Sequence, residues 1–227
     1  MLTPRYFFAG DFAQFQGYFL SRPHVRRTFA RGACLWRPGQ PFQTLHYILS
    51  GAAENYVEHE NGHRKIISFH GSGTVFPGYH QHDYKIERSI VTKAICSMEV
   101  LEFTKAQFRH MFEENAALSA CVVEWFSMYT NLLLYETAHQ EYNDSCVKLC
   151  NLLYLLFVNR AAGSEMLDVT QEDLADILGV SRVNLARNLA ALRAEGLICT
   201  HRRCIEVLDA KALARHCSLE TLQPLAE

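Results

Sequence analysis

Residues Thr170 to Leu208 read TQEDLADILGVSRVNLARNLAALRAEGLICTHRRCIEVL, two short helices followed by a hairpin, and this stretch decides the fold. Thr170 with Asp173 three residues on is an N-cap signature, opening a helix that carries Leu174, Ile177 and Leu178 on one face. Gly179 closes it, Ser181 caps a second helix running to about Glu195, and Gly196 stops that one. Ala175 is small where the two helices cross, and Val180 and Leu185 supply the apolar contacts that lock the pair. Leu197–Thr200 and Cys204–Leu208 then make two short strands around His201-Arg202-Arg203, a basic wing. Helix, turn, helix and basic wing together point to a reader of double-stranded DNA.

The second helix exposes Arg182, Val183, Asn184, Ala186 and Arg187 near its N-terminus, the end that enters the major groove. Arg182 and Arg187 are the candidates for bidentate contact with guanine O6 and N7, a contact worth about 1 to 3 kcal/mol of discrimination. The alternative for either arginine is a grip on phosphate alone. Ser181, Arg193, Arg202 and Arg203 fit phosphate positioning better than base reading, and Thr170 and Gln171 are further DNA-binding candidates. From Ser181 to Arg203 five arginines stand against one acid, Glu195, in a chain whose net charge is -2. The basic charge is therefore local to the reader.

Upstream, from about Val25 to Phe103, short β-branched or aromatic runs alternate with glycine-bearing turns, which suits an antiparallel barrel or sandwich. Asn61-Gly62 between Ala53–Val57 and Lys65–Phe69 predicts a tight hairpin turn with positive φ at its central residues. Thr104 is a plausible N-cap, and no glycine or proline occurs from there to Ala162, so the chain turns helical. Leu118, Cys121, Trp125, Met128, Leu132, Tyr135 and His139 recur at steps of three and four. That heptad seam predicts a dimerisation helix, against the alternative of a helix packed on its own domain. Asn143-Asp144 breaks it, another helix follows to about Asn159, Ala161–Ser164 is a short turn, and Met166–Val169 a strand.

With 227 residues, 49% of them hydrophobic, the chain can bury a core. Apolar runs such as Leu152–Val158 fall short of the ~20 residues of a membrane span, which predicts no membrane partner and a cytoplasmic protein. Eight dispersed cysteines with no CxxC pair are expected as reduced structural thiols, with redox sensing as the other reading.

The run Gln171–Ile198, QEDLADILGVSRVNLARNLAALRAEGLI, resembles the helix-turn-helix of the CRP/FNR family of transcription regulators. Leu45–Gly51 (LHYILSG), Gly62, Gly73 and the strand with Ala94 and Glu99 resemble its cyclic-nucleotide-binding-type β-roll. The resemblance implies an α+β chain: an antiparallel β-roll (a double-stranded β-helix) over 1–113, a long dimerisation helix over 114–142, and a winged helix-turn-helix over 143–227. It also implies a homodimer on a palindromic operator, an activator that contacts RNA polymerase, and no enzymatic activity. Val183 stands where many relatives have a glutamate, so a glutamate-based half-site is not expected. Asn188 replaces an expected apolar residue.

In cyclic-nucleotide receptors of the family a Gly-Glu-Leu turn caps the ribose and an Arg-Ser pair holds the phosphate. Here Phe76-Pro77-Gly78-Tyr79 lacks the carboxylate, whereas Arg88-Ser89 matches the pair and would clamp an anion. Cyclic AMP is thus disfavoured. An alternative for Arg88 is an ion pair with Glu87 or a neighbouring acid. An iron-sulfur cluster is disfavoured because Cys34 has no cysteine neighbours. His70, His80, His82 and Cys96 leave haem open, and His80, His82 with Glu87 or Glu102 would serve a metal-dependent cupin-type enzyme, the rival reading. The favoured effector is a small, aromatic anion among Tyr79, Tyr84, Lys85, Arg88, Ser89, Trp125 and Tyr129, with Tyr135 a further candidate. The Phe76–Lys85 stretch resembles family members that sense halogenated aromatics.

Overall fold

A computed structural model describes residues 2–160 and 166–222. They form two compact units, one over Tyr6–Tyr129, the other over the described residues from Thr130 onward with those up to Arg5. The turn expected at Ala161–Ser164 lies outside the described residues.

The first unit contains β1 (Phe7–Phe8), a 3-10 turn, α1 (Gln16–Leu20), β2 (Val25–Phe29), β3 (Thr44–Ser50), β4 (Ala52–Glu58), β5 (Arg64–Gly71), β6 (Val75–Phe76), a second 3-10 turn (Lys85–Ser89), β7 (Ile90–Ala94) and β8 (Met98–Thr104). These make two four-stranded sheets, ordered β1-β5-β4-β7 and β2-β8-β3-β6. All pairings are antiparallel except β1 with β5. Inward-facing Leu35, Ile48, Ala53, Ala94, Met98 and Val100 join in one apolar cluster. The β4–β5 hairpin differs from the expected tight turn. Gly62 N–H bonds to His59 O at 2.8 Å, Gly62 alone has positive φ (82°), and Asn61 Oδ1 accepts from His63 N–H at 3.1 Å. The turn is centred on Glu60-Asn61, with Gly62 as the bulge that restores register.

Thr104 caps α2 (Lys105–Glu114) in a box with Gln107. A break the sequence reading missed follows: Asn115 ends α2, and its Oδ1 accepts from Leu118 N–H at 3.1 Å to start α3 (Ala116–Tyr142). Asp144 then caps α4 (Ser145–Val158), so Asn143-Asp144 is the break expected. Helix α3 is long and apolar enough to cross a membrane by length and composition, which a search for unbroken apolar runs overlooked. Of its apolar residues, Leu118, Val122, Trp125 and Leu132 are buried within the chain, whereas Val123, Leu133 and Leu134 are exposed.

The second unit continues with β9 (Met166–Leu167), α5 (Gln171–Leu178), α6 (Arg182–Ala194), β10 (Ile198–Thr200), β11 (Ile205–Val207) and α7 (Ala210–Ala214). The three short strands form one antiparallel sheet, β10-β11-β9. Leu174, Ile177 and Leu178 of α5 and Leu185, Leu189 and Leu192 of α6 are buried, as their helical spacing requires.

Candidate functional site

The reading surface is built by capping. Thr170 Oγ1 accepts from Asp173 N–H at 3.1 Å and donates to Asp173 Oδ2 at 2.6 Å, fixing the start of α5. Its hydroxyl is thereby committed to the cap; exposed Gln171 beside it is available. Ser181 Oγ accepts from Asn184 N–H at 3.3 Å and starts α6. Since Leu185, Asn188, Leu189 and Leu192 turn inward, Val183, Asn184, Ala186 and Arg187 stand in solvent, Val183 at 79% exposure.

Arg187, Arg202 and Arg203 are exposed and make no ion pair among the described residues. Arg182 differs: its Nη2 lies 2.5 Å from Glu172 Oε1 of α5. In the free protein it is not an open guanidinium, and it must exchange partners to touch a base. Arg193 Nη1 donates to Thr200 Oγ1 of β10 at 3.3 Å, tying α6 to the wing. Asn188, the unexpected polar residue, is buried and donates to Ser145 Oγ at 2.9 Å, pinning α6 to the first turn of α4. No local pattern links Asn188 to this partner, because Ser145 lies 43 residues away.

The expected effector residues do not assemble into one site. Trp125 and Tyr129 stack on each other at 5.2 Å inside the roll, beside a polar cluster that sequence reasoning missed. There Thr92 Oγ1 donates to Asn55 Oδ1 at 3.2 Å, and Asn55 Nδ2 donates to Tyr129 OH at 3.4 Å. Ser68 Oγ lies 3.3 Å from Tyr129 OH and 2.9 Å from His70 Nε2. His70 is fully buried between Phe8 and Phe76, the latter 3.9 Å away ring to ring. Burial holds its pKa down at about 3, so the ring is neutral, and burial pushes the Tyr129 phenol upward. Two buried nitrogens, His70 Nδ1 and Trp125 Nε1, meet no partner among the described residues.

Tyr79 and Tyr84 sit elsewhere, on a surface hollow of about 360 Å³ lined also by His80, Gln81, His82, Phe112, Val122, Val123 and Phe126. Gly78 lets the chain approach α3 here. A Cβ at that position would fall 2.4 Å from Phe126 Cζ and 2.8 Å from Trp125 Cζ3, closer than carbon atoms approach. Lys85 and Arg88 are exposed and Ser89 half-buried. Arg88 does not pair with Glu87, whose buried carboxylate accepts from Phe42 N–H at 2.9 Å and Tyr84 N–H at 3.1 Å and meets His80 Nε2 at 3.3 Å.

The cupin ligand set fails on the same geometry. His80 Nδ1 donates to His82 O at 2.6 Å, so both its ring nitrogens are engaged. Glu102 belongs to the other sheet, bound to His46 at 3.1 Å and Arg27 at 3.2 Å. The haem candidates are likewise scattered: His70 lies in the roll interior and Cys96 in solvent. Among the described residues every cysteine is free, and burial pushes the Cys217 thiol up to about 12.

The proposed dimer seam is also corrected. Leu118, Trp125 and Leu132 are buried within the chain and Cys121, Met128 and Tyr135 half-buried. Tyr135 OH lies 2.8 Å from Thr221 Oγ1. Periodicity identified a packed face of α3, but that face is packed on its own chain. A second heptad stands exposed: Ala116, Ala120, Val123, Ser127, Thr130, Leu134 and Thr137. Ser127 and Thr137 turn their hydroxyls back to Val123 O and Leu133 O, at 3.0 and 2.8 Å. Both therefore present mainly methylene or methyl surface outward.

Two family models match the chain: "Cyclic nucleotide-binding domain" over residues 26–115 and "Crp-like helix-turn-helix domain" over 147–216. The "Global nitrogen regulator" of Nostoc sp. is 24% identical over 199 residues, covering 85% of this chain and 89% of its own. The "cAMP-activated global transcriptional regulator CRP" of Salmonella typhimurium is 22% identical over 198 residues, covering 86% and 94%. Among solved structures, OCPA-complexed CprK superposes with a TM-score of 0.69 at 17% identity, over 88% of this chain and 92% of that one. At that identity the likeness is one of fold.

Proposed function

The chain belongs to the CRP/FNR family of transcription regulators, and from that premise we propose that it acts as a homodimer on a two-fold-symmetric operator, as an activator switched by a small aromatic anion. The observation that carries the DNA reading is the open face of α6, where Val183, Asn184, Ala186 and Arg187 stand clear of every buried contact beside a wing tipped by Arg202 and Arg203. Arg187 is the principal base reader. A helix presented this way enters the major groove at its N-terminal end, and two of them about 34 Å apart span successive turns.

The exposed heptad of α3 from Ala116 to Thr137 is the dimer face; its small residues permit close approach of two helices. Val123 belongs both to that heptad and to the aromatic hollow. A ligand seated against Tyr79, Tyr84 and Phe126 would therefore touch the dimer seam. It acts by preferring one of two arrangements of that seam. The hollow's volume falls in the range of small-molecule sites. OCPA is bound by CprK, and for this chain it serves as a first trial ligand.

Fluorescence anisotropy against selected palindromic and random duplexes at fixed salt tests the reading. Arg187→Ala should weaken selective binding by about 1 to 3 kcal/mol, roughly tenfold to a hundredfold, and relax preference at one base step. Equal affinity for selected and random DNA, with and without a panel of aromatic carboxylates, would overturn it.

A further inference from the structure

The outer face of the wing carries a donor set that DNA binding does not use. Along a strand, successive side chains alternate between faces. Ile205 and Val207 are buried, so Cys204 and Glu206 take the outer face of β11. Cys199 is the register partner of Glu206, and Thr200 of Ile205, which places Cys199 on the outer face of β10. The next pair is His201 and Cys204, joined by a bond from His201 N–H to Cys204 O at 2.9 Å. Two adjacent cross-strand pairs thus give four donors on one face, in the order Cys-x-His-x2-Cys-x-Glu. The Cys199 sulfur, a ring nitrogen of His201 and a carboxylate oxygen of Glu206 already lie within 4.8 Å of one another. His201 Nε2 and Glu206 Oε2 are 3.1 Å apart. Among the described residues no other group of three or more such donors is gathered so closely.

We propose that this face of the wing binds one zinc ion, with Cys199, His201 and Glu206 as three ligands and Cys204 as the fourth. Thiolate, imidazole and carboxylate together suit zinc, and four protein ligands close a structural site. Ligand bonds of about 2.0 to 2.3 Å put the donors of a tetrahedral site roughly 3.3 to 3.8 Å apart. Side-chain rotation on a hairpin already in register covers the remaining ångström for Cys199, His201 and Glu206; the Cys204 sulfur stands outside that 4.8 Å group and has further to turn to join it. Binding releases the two thiol protons to solvent. Two protons leave and one dication enters, so the net charge of the site is unchanged. The effect on DNA is therefore one of position: the ion clasps both ends of the turn that carries Arg202 and Arg203. A turn ordered in advance loses less entropy on binding phosphate. That consequence rests on the DNA reading above; the site itself does not.

The full chain, reduced and stripped of metal, is titrated with zinc against a chromogenic chelator, and with cobalt(II) to read thiolate charge-transfer and tetrahedral d–d bands. One tight ion per chain is expected, weakened about a hundredfold or more in Cys199→Ser and His201→Gln and unchanged in Cys146→Ser, which removes a thiol of α4 outside the donor set. Absence of the cobalt-thiolate bands, or equal loss in Cys146→Ser, overturns the site. Full affinity in Cys204→Ser overturns the fourth ligand. The same samples are titrated with operator DNA: zinc should tighten wild type severalfold and leave Cys199→Ser unmoved. Tight zinc with unchanged DNA affinity overturns the coupling and leaves the site standing, whereas no selective DNA binding in either state is failure of the DNA reading.

Discussion

In the roll, Asn55, Ser68, His70, Thr92 and Tyr129 bond to one another out of water, whereas in the reader Arg187, Arg202 and Arg203 stand in solvent without an ion pair among the described residues. The two clusters thus hold their polar chemistry in opposite ways. Buried polar groups are costly unless matched, so they fix a single packing and make the roll sensitive to any loss inside it. Exposed arginines contribute little to stability and keep their donors for a partner. A sensing unit should therefore answer mutation and pH through stability, and a reading unit through DNA affinity.

The largest effect should come from Trp125→Ala, which empties the space under α3 and unstacks Tyr129. A loss of about 3 to 5 kcal/mol is expected for the roll. Both tryptophans, Trp36 and Trp125, belong to the roll's unit, so Trp36 fluorescence in the variant follows that unit alone. A fluorescence transition within 1 kcal/mol of wild type would mean that the interior cluster does not hold the roll together.

Acid should separate the two units next. The folded roll keeps His70 neutral down to about pH 3, while the unfolded chain takes up a proton near 6.5. With the folded pKa depressed, the unfolded state binds more protons between those values. Stability is therefore lost as the pH falls below about 6.5, by roughly 2 kcal/mol at pH 5 from this group. His46, whose pKa burial also lowers, adds in the same direction. His70→Phe should flatten the slope of denaturant stability between pH 6.5 and 5, read by tryptophan fluorescence. An unchanged slope would show that His70 is not buried neutral.

The comparison sharpens at Asn188, a buried polar residue of the reading helix α6. Asn188→Ala leaves Ser145 Oγ without its donor and should cost about 1 to 2 kcal/mol. The change should appear in the far-UV circular dichroism melt and leave the tryptophan transition in place. Movement of the tryptophan signal instead would mean that the two units unfold together.

This contrast also explains what the sequence disclosed. Capping and turn chemistry act over three or four residues, so Thr170 with Asp173, Ser181, and Asp144 could be read directly. The interior cluster draws on residues 55, 68, 70, 92 and 129, which no local pattern links. The long helix was legible as a helix, but its heptad could not say whether it faced its own chain or a partner. Arg88-Ser89 was visible as a motif, yet the inward turn of Glu87, which leaves Arg88 in solvent, depends on Phe42, 45 residues away. The wing's donor set needed the strand register before its four residues could be placed on one face.

The smallest expected effect tests Arg182, the arginine of α6 held in an ion pair. Arg182 and Glu172 are both well exposed, at 76% and 62% of their side chains, and pairs in such positions are worth about 0 to 1 kcal/mol. Glu172→Gln should leave the melting transition within about 0.5 kcal/mol of wild type. It should also free Arg182 for DNA and remove a negative charge from the approaching face. Operator affinity should then rise a few fold, and more at low salt than at high salt, because screening weakens the charge in either state. If Arg182 stays paired when DNA is bound, Glu172→Gln and Arg182→Ala should weaken the complex alike. If it exchanges partners, the first variant should tighten binding and the second loosen it, and the sign of that difference separates a structural arginine from a reading one.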